Sequence, residues 1–168
     1  MVTPPLPAPE AVLFDLDGTL IDSRRDIAAS CNAALRERGH PPLDEAEIAT
    51  FVGDGARTLI ARALRLPDSH PEVSATLAAF LAHYEAHPAV HTELLPGAME
   101  ALAAARPAKV GVVTNKGRSV SLAVLAALGL DAHVDVLVAG GDGPLKPHPA
   151  PVLRAAAQLG ATPARVWM

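Results

Sequence analysis

The sequence predicts an α/β protein: a doubly wound, Rossmann-like parallel sheet carrying an all-α helical cap inserted directly after the first strand. Three observations predict it. A short apolar run, Ala11 to Phe14, ends in the polar turn DLDGT at 15–19; the stretch from Ser23 to His91 shows apolar residues only at helical spacing; and beyond LLPG at 94–97, helices and strands alternate. The division this implies is a loose tail at 1–10, a core over 11–22 and 92–168, and a cap over 23–91.

Strand one, from Ala11 to Phe14, reads as a buried strand that delivers Asp15 at its C-terminal end. The next segment places Ile27, Cys31, Ala34 and Leu35 on one helical face, with Gly39 as a stop. Asp44 followed by Glu47 reads as a capping-box variant opening a short helix that Gly53 ends. A third helix spans about Ala56 to Leu66 with Leu59, Ile60, Ala63 and Leu64 on one face, and Val73, Leu77, Phe80, Leu81 and Tyr84 mark a fourth. The core then continues with a helix near Gly97–Ala105, a strand Val110–Thr114, a helix Arg118–Leu128, a strand Val134–Ala139, a helix Ala150–Leu159 and a strand from Val166. GGDGPLKPHP at 140–149 is too polar and too punctuated to be an element, so it is a loop at a strand end.

Bulk properties narrow the function. Aromatic residues make up 3% of the 168, and the net charge of -4 comes with no basic run, which argues against nucleic acid and anionic membrane surfaces and for a small diffusible ligand. No apolar run is long enough to span a bilayer, and the proline-rich opening lacks the features of a signal peptide. Cys31 is the only cysteine, so no internal disulfide forms; a reducing, cytoplasmic setting and a packing role for Cys31 are expected.

In open α/β sheets, ligands sit beyond the carboxyl ends of the strands. The residues there are Asp15 and Asp17, then Thr114 and Asn115, then the loop with Lys146. Carboxylates, a hydroxyl, an amide and an ammonium around one crevice describe a phosphate-and-magnesium site, because a hard cation takes oxygen ligands and a phosphoryl group takes donors and positive charge. Each residue also has a plainer reading: DLDGT as a strand-capping turn, Lys146 as a solvated loop cation, Arg57 as an exposed first-turn residue. His83, His87 and His91 have metal-like spacing, but no acidic pattern flanks them, and they read as surface histidines.

DLDGT, VVTNK at 112–116 and KPHP at 146–149, in this order around a helical insert, resemble the haloacid dehalogenase superfamily of aspartyl-phosphate phosphatases. The resemblance implies that Asp15 is the nucleophile and that Asp17 protonates the leaving alcohol and later activates water. It implies further that Gly18 permits the turn, Thr19 orders the loop, Thr114 and Asn115 bond phosphate oxygens, and Lys146 neutralises charge. Lys116 joins the substrate-binding set, and Mg2+ is held through Asp15 and Asp17. FVGDGARTLIARAL at 51–64, with GGD at 140–142 and KPHPAP at 146–151, resembles phosphoglycolate phosphatases, which implies 2-phosphoglycolate as substrate. Gly53, Asp54 and Arg57 are then cap contacts to substrate, with Arg57 meeting its carboxylate.

In the family the last strand runs on into a GD and a further aspartate that complete magnesium binding, whereas this sequence stops at ARVWM. The expectation is weakened magnesium affinity and an uncovered sheet edge. Two readings therefore stand, together with a third. The first is a phosphatase, a monomer or weak homodimer; the second is a weak or inactive relative that binds phosphate or a partner; the third is a sugar phosphomutase.

Overall fold

A computed structural model describes residues 8–168 of the chain. Its main sheet has four parallel strands in the order β5-β4-β1-β6, built from β1 (Ala11–Phe14), β4 (Lys109–Gly117), β5 (Val136–Gly140) and β6 (Val166–Trp167). The helices α5 (Ala98–Ala105), α6 (Arg118–Ala127) and α7 (Ala150–Leu159) connect them. This is the doubly wound parallel sheet expected from the alternation.

Strand periodicity sorts the core into two faces. Ala11, Leu13, Val113 and Val138 meet Ala155 and Leu159 of α7, while Val110 and Val112 join the cluster containing Leu102 of α5 and Val120, Val124 and Leu125 of α6. Gly111 lies on the α7 face, where a β-carbon would sit 2.6 Å from Leu13 Cδ2 and 3.3 Å from Leu159 Cδ1. Its missing side chain lets the helix approach the sheet.

Four helices lie where the sequence places the insert: α1 (Arg24–Glu37), α2 (Glu45–Ala49), α3 (Ala56–Leu64) and α4 (Pro71–Ala86). α1 packs on α2 and α4, and α3 packs on α4. Ile27, Cys31, Ala34 and Leu35 are all buried, as the spacing demands, and their cluster runs without a break into the α5–α6 face of the sheet. Gly39, at φ 77°, follows the end of α1, where His40 N–H donates to Leu35 O.

The sequence reading missed one feature. Ile21–Asp22 (β2) and Glu93–Leu94 (β3) pair antiparallel, so the chain leaves for the helices and returns from them through one small ribbon. Two-residue strands carry no period to detect. The Asp26 carboxylate reinforces this crossing by accepting from His91 N, Thr92 N and Thr92 Oγ1.

Several expected boundaries shift. Asp44 stands at the N-cap of α2, but its side chain makes no capping bond, so the capping box does not form, and α2 stops at Ala49, short of Gly53. α3 ends two residues early, where Arg65 takes a left-handed conformation at φ 56°. β4 continues through Thr114–Gly117, past a register shift after Val113, because Gly117 pairs again with Gly140, and Thr114 Oγ1 accepts the Lys116 N–H in the irregular stretch between. Of the expected loose tail, residues 1–7 lie outside the described residues. Ala8 and Glu10 are tied down by Arg165: its guanidinium donates to Ala8 O, and its carbonyl accepts the Glu10 N–H.

Candidate active site

Asp15 follows the last residue of β1, and the sheet order sets β4 beside it, so the residues that end both strands share one crevice. Lys146, from the loop after β5, reaches back to place Nζ 2.8 Å from Asp15 Oδ1 while also donating to Val113 O. The Leu16 N–H donates to the same carboxylate oxygen at 2.7 Å. Thr114 is buried between them; its oxygen accepts from Lys116 N–H, which leaves its hydroxyl proton for an incoming oxygen. The crevice thus offers a half-exposed carboxylate, an ammonium and a hydroxyl, the set that a phosphoryl group requires.

Asp17 is held differently. Its Oδ1 accepts from Lys116 Nζ at 2.8 Å and from Ser23 Oγ at 2.5 Å. Both bonds fall on one oxygen, so Oδ2 is the atom left to face a reacting group. Lys116 is itself buried, with a side chain only 5% exposed, and its ammonium lies 4.6 Å from the centre of the Tyr84 ring. Burial alone would push the Lys116 ammonium down; the facing Asp17 carboxylate and Tyr84 phenol outweigh it and hold the group above its ordinary range. Burial pushes the Tyr84 phenol up, opposed by Lys116 and aided by Asp17.

Not every expected site residue arrives in the role assigned to it. The Asn115 side chain spends both its donors, on Gly53 O at 2.8 Å and Lys146 O at 2.9 Å, and its acceptor on Lys146 N–H, so it braces two loops and has no side-chain donor left for phosphate. Lys116 serves Asp17 in place of a direct phosphate contact. Gly18, at φ 78°, makes the tight turn in which its N–H bonds Ile21 O, and it lines a shallow cavity with Asp17, Ser23 and Gly53. Thr19 is exposed, and its backbone N–H bonds Leu16 O.

The cap contacts need a larger correction. Gly53 does line the main cavity, but Asp54 is exposed and pairs with Arg62 at 2.6 Å. Arg57 is also exposed and donates to Asp68 O and Ser74 Oγ, so its guanidinium is turned away from the crevice. A first-turn arginine has several acceptors within reach, and spacing alone does not choose among them.

The main cavity, named for the site residues that line it, holds about 70 Å³ between the strand ends and helices α3 and α4, beside a larger one of about 410 Å³ that shares Asp17, Val52 and Gly53. Asp15, Asp17, Thr114 and Lys116 form its polar end, and Ile27, Val52, Leu59, Phe80 and Leu81 its apolar wall, with Tyr84 between. Two groups at the site, Tyr84 of this cavity and Ser23 beside Asp17, carry no signal of their role in the sequence. Ser23 looks like an ordinary helix-capping serine, yet its hydroxyl goes to Asp17 and makes no cap bond. Tyr84 sits on the apolar face of α4, where only its being the chain's single tyrosine marks it.

Among the described residues, no three or more His, Cys, Asp or Glu side chains converge on a point that could hold a metal. A divalent ion here would rest on Asp15, a backbone oxygen of Asp17, phosphate and water, a donor set of hard oxygens that suits magnesium. His83 and His87 stack on each other at 4.5 Å, and His83 bonds Ser30, which agrees with a structural role. The Cys31 thiol is buried and pushed up to about 12 by desolvation, so it packs and does not react. His148 Nδ1 accepts the Ala150 N–H and so orders the loop that carries Lys146. No helix among the described residues is long and apolar enough to cross a membrane.

Comparison with known proteins agrees with this geometry. The chain is 41% identical over 155 residues to a phosphoglycolate phosphatase of Cereibacter sphaeroides, covering 88% of this chain and 71% of the relative. It is 39% identical over 160 residues to an N-acetylmuramic acid 6-phosphate phosphatase of Pseudomonas aeruginosa, covering 94% and 71%. A solved structure described as a predicted phosphoglycolate phosphatase from Haemophilus somnus superposes with a TM-score of 0.81 at 29% identity, covering 94% of this chain and 74% of that one. Residues 9–168 match the model of the haloacid dehalogenase-like hydrolases, and the chain belongs to that family.

Proposed function

We propose that the chain is a phosphomonoester hydrolase of the phosphoglycolate phosphatase type, releasing phosphate from 2-phosphoglycolate or a similarly small phosphomonoester through an aspartyl-phosphate on Asp15. The observation that carries this reading is the division of labour between two carboxylates one residue apart. Asp15 meets Lys146 at 2.8 Å in the phosphate crevice, whereas Asp17 is held by Lys116 and Ser23 with one oxygen spare.

In the first half-reaction, an Asp15 oxygen attacks phosphorus, the phosphorus–oxygen ester bond breaks, and Asp17 gives the leaving alcohol its proton. In the second, Asp17 takes a proton from water, which attacks the aspartyl-phosphate and frees phosphate and Asp15. Thr114 and Lys146 bind the phosphoryl oxygens throughout. Asp15 and the Asp17 backbone carbonyl would hold Mg2+, which when bound lowers the repulsion between the carboxylate and the phosphate. The segment 23–91 acts as a cap over the core of 11–22 and 92–168.

The test is magnesium-dependent phosphate release from 2-phosphoglycolate by the chain and by its Asp15→Asn variant. Release by the parent and none by the variant is expected. Equal release by both would remove Asp15 as nucleophile, and none from the folded parent would overturn the reading for this chain.

A further inference from the structure

We propose that Tyr84 and Lys116 form the subsite that receives the carboxylate of the substrate's alcohol half, the inference resting on the phosphatase reading above. Tyr84 comes from cap helix α4 and Lys116 from the end of strand β4, so the subsite bridges the two.

The first support is an unmet hydrogen bond. Tyr84 is 2% exposed, and its hydroxyl is the one buried side-chain polar atom among the described residues without a partner. The Lys116 ammonium lies 4.6 Å from the centre of the ring, and no group of the protein makes a hydrogen bond to the hydroxyl. A buried donor left in this state is a standing cost that a ligand acceptor would remove.

Lys116 supplies the second. An ammonium has three donors, and Lys116 Nζ gives one of them to Asp17 Oδ1. It is also the only cation among the residues lining the main cavity. A ligand carboxylate has two oxygens, one for the ammonium and one for the phenol, and charge-assisted bonds of this kind are the strong ones.

Exclusion completes the case. Of the other lining side chains, Asp15 and Asp17 would repel a carboxylate, and Ile27, Val52, Leu59, Phe80 and Leu81 offer it no hydrogen bond. Arg57, the carboxylate contact expected from the sequence, faces Asp68 and Ser74.

Two readouts test the subsite. Tyr84 is the only tyrosine, so tyrosine labelled with 13C at Cζ gives one resonance that reports on it directly. Glycolate should shift that resonance saturably and 1,2-ethanediol should not, and Lys116→Met should abolish the glycolate shift. Independently, the ratio of kcat/KM for 2-phosphoglycolate over 2-hydroxyethyl phosphate should fall about tenfold in Tyr84→Phe and further in Lys116→Met, while Arg57→Ala keeps the parent ratio. No saturable shift with glycolate, or ratios unchanged in both subsite variants, would overturn the proposal. A parent that turns over neither ester removes the phosphatase reading, and the glycolate titration then decides the subsite alone.

Discussion

Asn115 and Lys146 hold each other twice: the Lys146 backbone N–H donates to Asn115 Oδ1 at 2.8 Å, and Asn115 Nδ2 donates to Lys146 O at 2.9 Å. The reciprocal pair fixes the backbone of the loop from which the Lys146 ammonium reaches Asp15, and a third bond to Gly53 O extends the brace to the segment between α2 and α3. Asn115 is therefore a positioning residue. Asn115→Ala should lower kcat about tenfold to a hundredfold with little change in KM, because the ammonium is displaced and no substrate bond is lost. A raised KM at unchanged kcat would instead mark Asn115 as a phosphate ligand.

Asp26 is 2% exposed, and its carboxylate accepts from two backbone N–H groups and one hydroxyl, all from His91 and Thr92. It pins α1 to the segment that returns from the helices. Asp26→Ala leaves those donors facing a void, and a loss of about 3 kcal/mol in urea unfolding is expected. A loss below about 1 kcal/mol would show that water replaces the carboxylate.

How much of this was legible follows from the physics of each feature. The parallel sheet and helices announced themselves through apolar period, and Asp15, Thr114 and Lys146 through their place after strands. The β2–β3 ribbon was hidden because two residues have no period, and the end of β4 because its irregular pairing depends on the partner strand. Arg57 and Asn115 show a different limit. Both side chains carry several donors, but which acceptors they meet is decided by loops 31 to 62 residues away in sequence for Asn115 and by a nearby turn for Arg57. Tyr84 was legible only as a core residue, since the lack of a partner for its hydroxyl is a property of the folded surroundings.

Gly111 tests the packing of the sheet. A methyl group there would lie 2.6 Å from Leu13 Cδ2, and Leu13 is 2% exposed with Leu159 closing the other side. Gly111→Ala should cost about 1–3 kcal/mol through overpacking, more than the small gain in strand propensity returns. The midpoint of thermal or urea unfolding measures it, and a stabilised variant would mean that α7 can move away from the sheet freely.

Glu72, in the first turn of α4, joins the end of α1 to that helix. Arg38 donates to both its oxygens at 3.1 Å, and His40 Nε2 lies 3.2 Å from Oε1. The Arg38 guanidinium first, and His40 second, hold its carboxyl well below the usual range, at about 2 against 4.5. Because the folded value lies below the unfolded one, the contribution to stability is complete above about pH 4.5 and disappears as pH falls towards 2. Glu72→Gln should therefore be less stable than the parent at pH 6, and the gap should close by about pH 2.5, with high salt narrowing it at pH 6 as well. Urea midpoints of both proteins at the two pH values decide the matter. A gap that stays constant with pH would assign the effect to the side chain's shape and its hydrogen bond from Thr76 Oγ1 and not to its charge.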